Sequence, residues 1–126
     1  MRTTRLSIAF DAADIAAESR FWADLLDGEV VRTDDDWHTV QFPSGSGVPD
    51  VCVQRAPDHV APTWPDPAVR QQVHLDLDVE DVRAAEQEAL TKGARLVQES
   101  CSFDDAEGFR VYASPAGHPF CLCWGS

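Results

Sequence analysis

Two stretches of the chain carry the same succession of hydrophobic patterns. Near the start, Arg5-Leu-Ser-Ile-Ala-Phe10 alternates, with Leu6, Ile8 and Phe10 on one face and Ser7 and Ala9 on the other, which predicts a strand. Asp14 then offers a helix cap, Ile15, Ser19, Trp22, Leu25 and Leu26 follow at helical spacing, and Asp27-Gly28 supplies a stop. Three short strands are predicted next, Glu29 to Thr33, Trp37 to Phe42 and Val51 to Arg55. Asp34-Asp35-Asp36 and the run from Pro43 to Pro49 act as turns between them.

The second stretch repeats that order. Val73, Leu75, Leu77 and Val79 alternate with His74, Asp76 and Asp78, again a strand with one apolar and one polar face. Asp81 caps a helix whose apolar stripe is Val82, Ala85, Ala89 and Leu90, and Lys92-Gly93 ends it with a cation near its negative pole. Leu96 to Cys101, Phe109 to Ala113 and Phe120 to Trp124 complete the set as strands, the last two joined by a turn-forming segment from Ser114 to Pro119.

Ser7 to Asp14 and His74 to Asp81 span the same seven-residue offset, as a duplication requires. Each half is βαβββ, and one such unit alone leaves a sheet face uncovered. The expected fold class is therefore α+β: two βαβββ modules forming a cupped, partly closed mixed sheet with the helices outside. The repeats are residues 1–56 and 71–126, within a single domain. Four of the eight prolines, Pro57, Pro62, Pro65 and Pro67, fall between them and mark residues 57–70 as the linker.

At 126 residues the chain is long enough to bury a core without disulfides or a structural metal. No apolar run approaches a membrane span, and the first residues lack the apolar stretch of a signal peptide, so the expected compartment is the cytoplasm. There the four cysteines stay as thiols, and none forms a C-x-x-C pair. A formal charge of −12 repels phosphate backbones and anionic lipid surfaces, which argues against nucleic acid and membranes as partners. The same field favours a cationic ligand, although an acidic skin also serves solubility alone.

Three segments bear a family resemblance. They are Phe10-Asp-Ala-Ala-Asp14 leading to Arg20-Phe-Trp-Ala-Asp-Leu-Leu26, then His74-Leu-Asp-Leu-Asp-Val-Glu-Asp81, then Ala113-Ser-Pro-Ala-Gly-His-Pro-Phe-Cys-Leu-Cys123. In this order, with the duplication between them, the chain resembles the vicinal oxygen chelate superfamily of glyoxalases, bleomycin-resistance proteins and extradiol dioxygenases. The likeness is greatest to the small glyoxalase-like proteins common in actinobacteria. The resemblance implies a homodimer with a ligand cup in each chain. It also implies three metal-ligand positions, on the first strand of each module and on the final strand, which fall here on Ser7, His74 and Cys121. Only His74 has the residue type that the family uses. Hard divalent ions prefer carboxylate and imidazole to a hydroxyl and a thiol, so no metal cofactor is expected.

His74, with Asp76 and Asp78 on its strand, is a candidate ligand or general base, or else a histidine hydrogen-bonded inside the cup. Cys121 and Cys123 share one strand face and should both point into the cup. They either fill space there or, with His74 and with Asp76 or water, hold zinc. Trp22 and Trp124 follow core periodicities. Trp37 and Trp64 do not, and each is a stacking surface for a flat or cationic ligand, or a packing residue against the protein or a partner subunit. His38, His59 and His118 are expected at the surface, and Asp104 to Glu107 at a solvated tip that would also suit the rim of a cation-binding cleft.

These features converge on a metal-independent binder of an aromatic or cationic metabolite or antibiotic. Its candidate ligand-binding residues are Ser7, Trp37, Trp64, His74, Asp76, Cys121 and Cys123. Two alternatives stand beside it. One is a lyase, isomerase or dioxygenase using zinc, manganese, nickel or iron at His74; the other is a degenerate dimerisation module.

Overall fold

The computed structural model of the protein describes residues 1–125, and the chain forms two compact units, Met1–His59 and Val60–Ser126. The first contains strand β1 (Ser7–Ala12), helix α1 (Ile15–Leu25), and strands β2 (Glu29–Thr33), β3 (Trp37–Gln41) and β4 (Asp50–Arg55). The second contains β5 (Leu75–Asp78), α2 (Val82–Thr91), β6 (Arg95–Gln98), β7 (Gly108–Ala113) and β8 (Pro119–Trp124). Both modules are βαβββ, and the protein is α+β. Its strands form two four-stranded sheets of matching order, β1-β4-β3-β2 and β5-β8-β7-β6, rather than one continuous sheet. In each, the first strand pairs in parallel with the last and the other pairs are antiparallel.

Both helix starts are as expected, because Asp14 and Asp81 accept the Ala17 and Ala84 amides at 3.0 Å. In the first unit α1 covers one sheet face, where Phe10, Val40, Val51 and Val53 are buried with Phe21 and Trp22 from the helix. Trp22 is fully buried, stacked on Phe10 at 5.5 Å and edge-on to Phe21 at 5.1 Å. Its indole N–H donates to Glu18 one turn back, 2.9 Å away, which accounts for a buried carboxylate that hydrophobic patterning does not reveal. In the second unit α2 packs on β8, with Tyr112 stacked on Phe120 at 5.6 Å and the Tyr112 hydroxyl bonded to Glu86 of the helix.

Several expectations are corrected. Leu6 and Val73 are exposed and lie outside the strands, so β1 runs two residues later than its alternation suggested and β5 is four residues long. Leu90 is exposed, and the buried side of α2 is Val82 and Ala89 with Glu86 turned toward the sheet. At the end of α1 it is Asp27, with φ of 56°, that takes the left-handed conformation. Gly28 is required for another reason, since a Cβ there would lie 2.5 Å from the Phe42 ring. Among the described residues, no helix is long and apolar enough to cross a membrane.

Candidate functional site

The ladders of the second unit sort its side chains into two sets. Leu77, Leu122 and Arg110 lie in one row, as do Phe120 and Tyr112, and this is the face toward α2. The opposite face carries Asp76 beside Cys121 and Val111, and Asp78 beside Cys123 and Phe109. Two carboxylates and two thiols thus share one side of the sheet.

Residues 60–70 cross that side. The segment is ordered by its own hydrogen bonds: the Thr63 amide donates to the Val69 carbonyl at 2.9 Å, and the Thr63 hydroxyl donates to the Asp66 carbonyl at 2.9 Å. Gly117 fits closely against it, since a Cβ there would lie 2.4 Å from the Ala61 Cβ, and its φ of 87° also favours glycine. Trp64 is thereby held over the sheet, with its indole N–H donating to Gln98 of β6 at 2.7 Å and its ring 6.3 Å from that of His74. The Trp64–Pro65 peptide is cis.

The result is a cleft of about 500 Å³ lined by Trp64, His74, Asp76, Phe109, Trp124 and both thiols, with Glu107 at its edge. Trp124 is fixed from behind by an N–H bond to the Asp105 carbonyl at 3.0 Å and by edge contact with Phe103, which lies under the Arg110 guanidinium at 3.7 Å. Gly108 leaves room for this arrangement, because a Cβ would come within 2.7 Å of Trp124 and of Cys101.

At the polar end, His74 Nε2 is 3.3 Å from Asp76 Oδ1, and the donor atoms of His74, Asp76 and Cys121 all lie within 4.8 Å of one another. His74 and Asp76 are open to solvent while Cys121 is buried. Burial pushes the Cys121 thiol up to about 12, and the hydrogen bond it gives to Asp76 adds to the shift. Cys123 is shifted the same way, by burial first and then by Asp76 and Asp78. A thiol held as far above its ordinary value as that of Cys121 stays almost wholly protonated at mildly alkaline pH. Cys121 in metal-free folded protein should therefore resist iodoacetamide at pH 8 and react only after unfolding, which peptide mass spectrometry reads directly. Because the folded value is the higher one, this thiol contributes stability below about pH 9 that is lost as pH rises toward 12.

Of the residues singled out from sequence, Trp64, His74, Asp76, Cys121 and Cys123 come together in this cleft. Ser7 and Trp37 belong to the first unit. Ser7 is exposed at the start of β1, and Trp37 lines a separate cleft of about 640 Å³ with Arg32, Asp34 and Asp36, its N–H bonded to Thr39 at 3.0 Å. The amides of Asp36 and Trp37 donate to the Asp34 side chain there, and the bond from Asp36 contributes most to lowering that carboxyl below its usual range. The three histidines expected at the surface are half-buried, and His38 Nδ1 is 2.8 Å from the Ser19 hydroxyl. Glu107, from the acidic tip expected to suit the rim of a cation-binding cleft, lines the cleft at Trp64, whereas Phe109 is not among the residues that the sequence pointed to. Its place on this face follows from the register of β7 against β8, which sets it opposite Cys123.

The duplication exposes an asymmetry. Ser7 and Ala9 occupy the places on β1 that His74 and Asp76 occupy relative to β5, and Ala9 pairs with Cys52 as Asp76 pairs with Cys121. A hydroxyl and a methyl thus stand in the first module where the second has an imidazole and a carboxylate. The metal set that the resemblance implies, Ser7 with His74 and Cys121, offers neither a carboxylate nor a second imidazole. It does not fit a hard divalent ion.

The duplicated βαβββ arrangement with one polar face in a cleft is that of a glyoxalase-type domain. The glyoxalase-like domain family matches residues 7–123, and the chain belongs to that family. No curated protein matches it in sequence. Among solved structures, the fosfomycin resistance protein FosX from Listeria monocytogenes is similar over 100% of this chain and 96% of its own, with a TM-score of 0.70 at 13% identity. A glyoxalase/bleomycin resistance protein/dioxygenase family enzyme from Burkholderia phytofirmans is similar over 95% and 97%, with a TM-score of 0.69 at 14% identity. A glyoxalase family protein from Enterococcus faecalis is similar over 93% and 94%, with a TM-score of 0.66 at 18% identity. At these identities the likeness is one of fold.

Proposed function

We propose that the protein is a metal-independent binder of a flat, positively charged organic molecule, an antibiotic or metabolite, held in the cleft of the second unit. One observation carries this reading: aromatic rings from Trp64, His74, Phe109 and Trp124 border a single space that has the Asp76 carboxylate at its polar end. Aromatic faces attract cations through their quadrupole, and a carboxylate at the edge fixes where the charge sits. The net charge of −12 draws such a ligand in from solution. Kinship with a glyoxalase/bleomycin resistance protein/dioxygenase family enzyme is in keeping with a small-molecule role. We take the protein to act in the cytoplasm as a homodimer.

The test uses fluorescence, because Trp64 and Trp124 both line the cleft. Cationic aromatic compounds should quench tryptophan emission saturably in protein treated with chelator, with one site per chain. Neutral compounds of the same shape should bind more weakly, and Trp64→Ala should weaken the binding and reduce the quenching. Absence of saturable quenching across a panel of planar cations, or a requirement for added metal, would overturn the reading.

A further inference from the structure

We infer that the second unit also holds a site for a thiophilic divalent ion of the zinc class, made of His74, Asp76 and Cys121, complete without any residue of the first unit. The three donors differ in kind, an imidazole, a carboxylate and a thiol, and this mixture is what tetrahedral zinc accepts and magnesium or manganese does not. Their donor atoms lie within 4.8 Å of one another. Tetrahedral coordination at ordinary zinc distances needs separations of roughly 3.4–3.8 Å, so closure takes a movement of about an ångström.

The elements are placed to allow that movement. Cys121 is fixed on a central strand, while His74 lies just outside the ladder and, like Asp76, has a solvent-exposed side chain. Binding releases the Cys121 proton to solvent as the sulfur–metal bond forms, and water fills the fourth position. Cys123 is not part of the cluster, so the arrangement differs from a two-thiolate site on one strand. It keeps His74 and Cys121 from the set implied by the resemblance and departs from it in the third donor, because Asp76 takes the part that Ser7 cannot. Asp76 then serves two occupants, and zinc and the organic cation exclude each other; this last consequence alone rests on the ligand reading above.

Cobalt(II) is the probe. Chelator-treated, reduced, untagged protein titrated with cobalt without oxygen should give one saturating equivalent per chain. A near-ultraviolet thiolate-to-cobalt charge-transfer band should appear, with visible bands of tetrahedral intensity, and zinc should erase both. Cys121→Ser should abolish the charge-transfer band, and His74→Ala and Asp76→Asn should each weaken binding at least about tenfold. Ser7→Ala and Cys123→Ser should leave it unchanged, and a hundredfold excess of magnesium or manganese should not compete. Circular dichroism confirms that each variant is folded, and the exposed Asp76 position keeps the test available should Cys121→Ser fail to fold. No band at saturating cobalt, loss of binding in Ser7→Ala, or survival of the band in folded Cys121→Ser would overturn the inference. The cobalt spectrum reports on the metal site whether or not any organic cation binds. Zinc added to the fluorescence titration reads the exclusion separately, and unchanged affinity for the cation would overturn that part alone.

Discussion

Replacing Trp22 with alanine should lower the free energy of unfolding by about 3–5 kcal/mol, the cost of emptying a fully buried aromatic site that its surroundings cannot refill. The indole is wholly inside, stacked on Phe10, edge-on to Phe21, and bonded to a Glu18 carboxylate that is itself buried. The alanine variant loses the ring contacts and the N–H donor together. Trp22→Phe keeps most of the ring packing and loses the donor, so it should cost less than Trp22→Ala. Urea unfolding followed by circular dichroism separates the two, with the midpoint falling in the order wild type, Trp22→Phe, Trp22→Ala. An alanine variant with an unchanged midpoint would mean that this cluster is not the core of the first unit. For a domain of ordinary stability the expected loss is a large part of the total.

Asp76→Asn should weaken binding of a planar cation by about 10- to 30-fold while leaving the fold intact, because the side chain is largely exposed and the change is nearly isosteric. The loss should shrink as salt is raised, since an exposed carboxylate is screened. A neutral compound of the same shape should bind the variant and the parent alike. The same substitution removes the carboxylate that helps raise the Cys121 thiol, so iodoacetamide labelling at that cysteine should quicken. Fluorescence titration and peptide mass spectrometry on one sample read both effects. If affinity for the cation is unchanged, charge recognition does not reside at Asp76.

Strands and helices were legible where one physical rule dominates. Phe10 and Val53 are buried while their neighbours Asp11 and Gln54 are exposed, because one sheet face is covered, and Asp14 and Asp81 stand where a helix start needs an acceptor. Boundaries were less so. Leu6 and Val73 extend an alternation past the point where the ladder ends, and hydrophobic period alone does not say where backbone partners run out. Glu18 was missed because a buried carboxylate looks polar in any pattern, although Trp22 four residues on was the available signal.

The cleft was half legible, for a reason that lies in its construction. His74, Asp76 and the two cysteines sit on or next to strands whose faces follow from parity, so their convergence could be read from position alone. Trp64 could be named as a stacking candidate, but its path depends on aperiodic bonds from Thr63 and on the close fit of Gly117 against Ala61. Phe109 needed the register of β7 against β8, and the Ser19–His38 contact needed α1 placed on its sheet.

The segment carrying Trp64 has a consequence for how such a duplicated chain can change. A connector that only tethers two copies lengthens or shortens at little cost, since loop-closure entropy varies slowly with length. Here the tether is also masonry: its tryptophan is one wall of a chamber whose other walls belong to the second copy. Insertions between the copies therefore register as changes in what the chamber admits. The first copy has serine and alanine where the second has histidine and aspartate, and the cleft at its Trp37 is lined by residues of that copy, none of them from the connector.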